Sequence, residues 1–183
     1  MKIIKKKGFN RNHLAKSFAK LGYTKGVEIG VRNGRYSEVL CKQNKALFLR
    51  SVDPYSVVYG DHRTTLTGES KQKANLRRAT KKLAPYNCEV IVRTSLEAVL
   101  NVPYESIDFV YIDGSHKFDY VMCDIIEWGK RIKKGGITSG HDYYRFKHPD
   151  VVDAVNIYCK IHKVKKLYIT DEKSPSWWFK KTW

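Results

Sequence analysis

The sequence predicts an α/β protein: one domain built on a mostly parallel sheet of seven strands that ends in an antiparallel hairpin. Three observations carry this. Strand-like and helix-like segments alternate along the chain from residue 26. No repeat or low-complexity linker interrupts the 183 residues, a length that suits a single domain. The last two strand-like segments have no helix between them, so they are expected to pair antiparallel.

Residues 1–25 read as a basic amino-terminal segment followed by a helix. Over 11–23, Leu14, Phe18 and Leu21 recur at spacings of four and three, the period of an amphipathic helix. Gly26 to Val31 is a short β-branched strand. Residues 35–44 form a helix with Val39 and Leu40 inward, and 46–52 a second strand that stops at Asp53-Pro54. Residues 55–68 mix glycine, threonine and aromatics without a period and read as a loop. A helix over 69–84 puts Leu76, Ala79 and Leu83 on one face and lysines and arginines on the other, with Pro85 and Asn87 as its stop.

The alternation continues with a strand over 88–92, a short helix over 95–100 and the most apolar strand, 107–112. The next helix runs from Phe118 to about Lys133. Phe118, Val121, Met122, Ile125, Trp128 and Ile132 mark its buried face, and Gly135-Gly136 its end. A glycine-rich strand over 136–140 and a helix over 150–162 opened by Pro149 come next. Strands over 167–170 and 177–180, joined by a turn at 171–175, complete the chain.

Hydrophobic residues at 42% and charged residues at 29% exclude a disordered tail and a collagen-like repeat. The net charge is +17 and the isoelectric point about 9.7. That excess suits a polyanionic partner (nucleic acid, an acidic glycan) as well as it suits a merely solvated basic surface. Lys5-Lys6-Lys7 and the helix face with Lys71, Lys73, Arg77, Arg78, Lys81 and Lys82 concentrate it. Cys41, Cys88, Cys123 and Cys159 form no C-x-x-C pair and read as free, mostly buried thiols in a reducing compartment. The basic start has no apolar stretch behind it, so it is not a signal peptide, and no run reaches the roughly 20 apolar residues of a membrane span. A cytoplasmic protein with no membrane partner is the expectation.

In a parallel sheet with helices on both faces, ligands bind beyond the carboxyl ends of the strands, where strand order reverses. The residues that follow each strand are therefore the informative ones. After the first comes Glu28-Ile29-Gly30-Val31-Arg32-Asn33-Gly34, two glycines that let the backbone turn tightly and approach a ligand at a helix start. After the second comes Asp53, about 20 residues on, where a carboxylate can accept hydrogen bonds from both hydroxyls of a ribose. Each feature alone fits a plain turn or cap; together they point to a nucleoside-containing cofactor. Arg32 replaces the middle glycine of the dinucleotide fingerprint, and no phosphate loop is present. S-adenosylmethionine has a ribose but no phosphate and tolerates such a loop. After the fourth strand comes Asp113-Gly114-Ser115-His116 and after the fifth Gly140-His141-Asp142-Tyr143, two carboxylates and two imidazoles on one rim.

These segments, with Ser51-Val52-Asp53-Pro54, Gly135-Gly136 and the terminal Ser176-Trp177-Trp178-Phe179-Lys180, resemble the class I S-adenosylmethionine-dependent methyltransferases. They are most similar to the small O-methyltransferase-like branch that includes sugar- and catechol-modifying enzymes. The resemblance runs from about residue 10 to the end and is most specific from Ile112 to Tyr143. It implies a single Rossmann-like domain over residues 1–183. It also implies that Gly30 and Gly34 line the methionine and ribose, and that Glu28 sits near the amino group. Asp53 would hold the ribose hydroxyls, Thr94 or Ser95 would lie near the adenine, and Asp113 beneath the methyl group. In metal-using relatives the positions of Asp113, His141 and Asp142 bind a divalent ion, magnesium or manganese. The histidine suits manganese, iron or zinc better than magnesium.

The activity implied is transfer of a methyl group to the hydroxyl of a small molecule or sugar, with His116 or His141 as the base and Asp113 beside them. Tyr55, Tyr59, His62 and Arg63 in one loop and Tyr143, Tyr144, Arg145 and Lys147 in another are candidates for acceptor recognition. Two rivals keep the fold: a nucleic-acid methyltransferase, which the charge favours, and a non-catalytic basic binding module. The presence of Gly30, Gly34, Asp53 and Asp113 speaks against the second.

Overall fold

A computed structural model describes residues 1–56 and 68–183. Five strands run parallel, as the alternation requires: β2 (Lys25–Ile29), β3 (Phe48–Val52), β4 (Cys88–Ile91), β5 (Ile107–Ile112) and β6 (Ile132–Gly140). The final strand β8 (Trp177–Lys180) inserts between β6 and β7 (Lys166–Thr170), antiparallel to both. The sheet order is β1-β7-β8-β6-β5-β2-β3-β4. It reverses between β2 and β5, which places the crevice beyond Ile29 and Ile112.

The sheet has eight strands, not seven. The extra one, β1 (Lys2–Lys6), lies parallel to β7 from Lys2 opposite Lys166 to Lys6 opposite Thr170. Its sequence, KIIKK, shows no alternation because an edge strand is held by its backbone and needs no buried face; lysines along it also discourage pairing with another chain. A second difference is the start of β6. The helix before it stops at Arg131, and Lys133 and Lys134 belong to the strand instead of a last helical turn. Asp108 accounts for this. It accepts from the backbone amides of Thr24 and Lys25 at 2.8 Å and from Lys133 Nζ at 3.1 Å, tying the amino-terminal ends of three strands together.

The helices divide between the two faces by the period of the strands. In β5, Val110 and Ile112 face α4 (Ser95–Val99), α5 (Phe118–Arg131) and α6 (Pro149–Ile161), while Phe109 and Tyr111 face α1 (Arg11–Lys20) and α2 (Arg35–Gln43). In β8, Trp177 and Phe179 take the first side and Trp178 the second. Phe18 stacks on Phe109 at 4.2 Å between ring centroids, and Trp128 of α5 is fully buried. Helix α3 (Gly68–Leu83) covers the β3–β4 end through Ala79 and Leu83. Cys41 and Cys159 are buried and Cys88 is half-buried, but Cys123 is exposed on α5. No helix among the described residues is long and apolar enough to cross a membrane.

Candidate active site

The rim is built by extending the parallel ladder one bond past each strand. Gly30 N donates to Val52 O, Asp53 N to Ile91 O, Asp113 N to Ile29 O and His141 N to Ile112 O, all between 2.7 and 3.1 Å. The residues singled out after the strands therefore stand in one row.

At the β2–β3 side the site is made of backbone. Gly30 has φ +87°, and a Cβ there would meet the Asp113 carbonyl oxygen at 2.1 Å. Only glycine allows β2 and β5 to close this tightly. Arg32 and Gly34 are also left-handed, at φ 53° and 73°, so the loop keeps its curl although Arg32 replaces a glycine. Asp53 holds that curl: one carboxylate oxygen accepts from the amides of Val31 at 3.0 Å and Arg32 at 2.8 Å, the other from Tyr55 at 2.8 Å. Burial raises the Asp53 carboxyl against the pull of those three amides. Glu28 is sealed beneath the loop, 1% exposed and bonded to the Ser37 hydroxyl, and burial pushes its carboxyl well up.

Thr94 and Ser95 turn to local work. Thr94 caps α4 and exchanges hydrogen bonds with Glu97. The Ser95 hydroxyl is buried, donating to Asp124 at 2.5 Å and accepting from the Trp128 indole at 2.7 Å. Burial lifts the Asp124 carboxyl to about 7.

At the β5–β6 side the site is made of titratable side chains. His116 Nε2 lies 2.7 Å from one Asp142 oxygen. The other Asp142 oxygen faces His141 Nδ1 at 3.3 Å and His148 Nε2 at 3.9 Å, and His141 Nδ1 also approaches Asp113 at 3.6 Å. The rings of His116 and His148 stack at 4.3 Å. Burial alone would lower His141, but Asp113 and Asp142 override it and raise the imidazole to about 9. Burial likewise would raise Asp142, and His116 and His141 instead hold it far below the usual carboxylate range. Asp142 adopts φ 57°, strain that these contacts sustain. A cavity opens here between Asp113, His116, His141, Val121, Val151 and Trp177.

Residues 27–143 match the profile of a methyltransferase-domain family, nearly two thirds of the chain, from the glycine loop through Asp142. The chain belongs to that family. Over 151 residues it is 28% identical to an uncharacterized protein of Acanthamoeba polyphaga mimivirus, covering 79% of this chain but only 62% of that protein's length. Its fold is that of an O-methyltransferase from Bacillus cereus solved with S-adenosylhomocysteine: TM-score 0.63, 16% identity, 93% of this chain and 80% of that one. It is equally that of an rRNA methylase from Streptococcus thermophilus: TM-score 0.63, 15% identity, 93% and 96% covered.

Within this methyltransferase domain, Asp113, His141 and Asp142 offer one ligand atom each, all within 4.8 Å of one another. His116 and His148 meet the same limit around Asp142. The mixed nitrogen and oxygen donors fit manganese, iron or zinc and suit magnesium poorly. Sequence reasoning missed His148. It is 5% exposed and precedes Pro149 at the opening of α6, a helix-start signal that hid a rim residue. It also missed Arg11, whose guanidinium lies over the Tyr36 ring at 5.1 Å, near Asp113. Of the acceptor candidates, Tyr59, His62 and Arg63 lie outside the described residues. Tyr143 is anchored on Asn156, and Arg145 pairs with Asp153 at 2.6 Å.

Proposed function

We propose that the protein transfers the methyl group of S-adenosylmethionine to a hydroxyl of a small molecule or sugar. The observation that carries this reading is the meeting, at the point where strand order reverses, of a glycine loop braced by Asp53 and a cluster of imidazoles and carboxylates. Gly30 closes the loop on Asp113 and Gly34 seats it against Ala79, shaping the curl that the methionine and ribose would lie along, and Asp53, which braces that loop, is the ribose acceptor. Thr94 and Ser95 at the start of α4 bound the adenine side by position, with their hydroxyls already committed.

The reaction is an in-line displacement. The acceptor oxygen bonds to the methyl carbon, the carbon–sulfur bond breaks, and S-adenosylhomocysteine leaves. The acceptor's proton goes to His116. With Nε2–H given to Asp142, the lone pair of that ring is on Nδ1, and Asp142 steadies the imidazolium that forms. His141, already charged between Asp113 and Asp142 at neutral pH, is the poorer base and serves as an electrostatic clamp. If a divalent ion binds, Asp113, Asp142 and His141 would hold it, and it would lower the acceptor hydroxyl's pKa. The basic surface supports a nucleic-acid acceptor as the alternative.

The test is a melting-temperature series followed by transfer of a labelled methyl group. S-adenosylhomocysteine should raise the melting temperature where NAD does not. Label should pass to hydroxylated small molecules, and His116→Ala should abolish the transfer without removing the shift. Stabilisation by NAD alone sinks the cofactor assignment; transfer only to RNA sinks the acceptor assignment.

A further inference from the structure

We propose that Arg11 receives the carboxylate of the cofactor's amino-acid end, an inference that rests on the S-adenosylmethionine reading above. Arg11 is the first residue of α1, and three contacts fix it. Its amide donates to Glu172 at 2.8 Å, its carbonyl accepts from the Tyr36 hydroxyl at 3.0 Å, and its guanidinium lies over the Tyr36 ring at 5.1 Å. The residue is half-buried, yet among the described residues no carboxylate lies within 4.0 Å of that guanidinium. A partly desolvated guanidinium held in place by these contacts is suited to gripping an anionic group.

Its surroundings say where the anion comes from. The Tyr36 ring under the guanidinium packs on Tyr111 of β5 at 4.3 Å between centroids, two residues before Asp113, whose charge favours that of Arg11. Asp113 in turn closes on Gly30, and Tyr36 lies in the first turn of α2 just after Gly34, so the ring that carries Arg11 belongs to the same β2–β5 junction. A free α-amino acid group carries an ammonium and a carboxylate on one carbon. Recognition needs an anion and a cation side by side, and Asp113 with Arg11 supplies both. Glu28, sealed under the loop against Ser37, is withdrawn from that role. The planar fork of arginine, steadied by the Tyr36 ring, suits a bidentate grip on the carboxylate.

The experiment compares two ligands by calorimetry. S-adenosylhomocysteine has the amino-acid end; 5′-methylthioadenosine has the same adenosine and thioether without it. Wild type should prefer the first. Arg11→Gln should weaken S-adenosylhomocysteine about 10- to 100-fold and leave 5′-methylthioadenosine within about threefold. Arg11→Lys, which keeps charge and loses the fork, should show a smaller loss confined to the same ligand, and it serves alone if Arg11→Gln does not fold. Equal weakening of both ligands, or of neither, overturns the proposal. So does a change confined to the acceptor's KM, which would assign Arg11 to an acceptor anion. Failure of both ligands to bind wild type removes the cofactor reading and this inference with it.

Discussion

The two ends of the crevice are built from different materials. On the β2–β3 side the rim is backbone: Gly30, Arg32 and Gly34 in left-handed conformations, with the Asp53 carboxylate accepting from three amides. On the β5–β6 side it is a set of side chains whose charges depend on one another, with Asp142 in contact with three histidines. A backbone cradle binds by shape and fails when it is crowded. A charge cluster acts by proton position and fails when a partner is neutralised. Binding and chemistry should therefore separate when each end is altered alone.

The largest effect is expected from crowding the first end. Gly30→Ala sets a Cβ at 2.1 Å from the Asp113 carbonyl oxygen and must hold φ +87°. It should cost on the order of 3 kcal/mol, seen in chemical denaturation, and abolish S-adenosylhomocysteine binding. An unchanged midpoint would mean that β2 and β5 do not close as described.

Neutralising the second end comes next. Asp142→Asn keeps a residue tolerant of the left-handed backbone but removes the charge facing His116. The turnover number should fall about 10²- to 10⁴-fold while S-adenosylhomocysteine affinity stays within about threefold. A matching loss of affinity would erase the division between the two ends. Asp53→Ala should do the reverse, weakening S-adenosylhomocysteine by about 1.5–3 kcal/mol in calorimetry with the fold retained. If affinity is untouched, Asp53 is a turn residue only.

Smaller effects follow from protons. His141 is raised from an ordinary value of about 6.5 to about 9. Its imidazolium therefore contributes stability that is full below about pH 6.5 and is lost as pH climbs through about 9. In chelator-treated buffer the melting temperature should decline across that window, and His141→Gln should flatten the decline. Asp124, lifted to about 7 by burial, has the same sign as His141: ionising it costs stability increasingly between about pH 4 and 7. Asp124→Asn should remove that slope, the smallest of these effects. An identical pH profile for wild type and variant would show that Asp124 stays ionised when folded.

The strand-end residues were legible because they are local. Asp113, His116, His141 and Asp142 follow apolar runs whose period announces the strands, and a parallel sheet puts all such positions on one edge. Their roles within the cluster were not legible. Nothing near His141 in sequence says that it faces Asp113 at 3.6 Å, 28 residues back, or that His148 approaches Asp142 at 3.9 Å. Glu28, Thr94 and Ser95 looked alike as polar residues at strand ends, yet Glu28 lies under the loop, Thr94 is an N-cap and Ser95 is a core hydroxyl.

The sequence by itself determined the α/β class, the antiparallel finish and the row of residues at the strand ends, because periodicity and glycine or proline punctuation act over a few residues. Tertiary structure decided the rest. It made Lys2–Lys6 a strand by offering the β7 edge, since backbone groups pair without regard to side-chain pattern. It set Arg11 over Tyr36, and Tyr36 against Tyr111 of β5, joining side chains far apart in the sequence. It set which imidazole is charged, because proton affinity depends on burial and on carboxylates a few ångströms away, and neither quantity exists until the chain has folded.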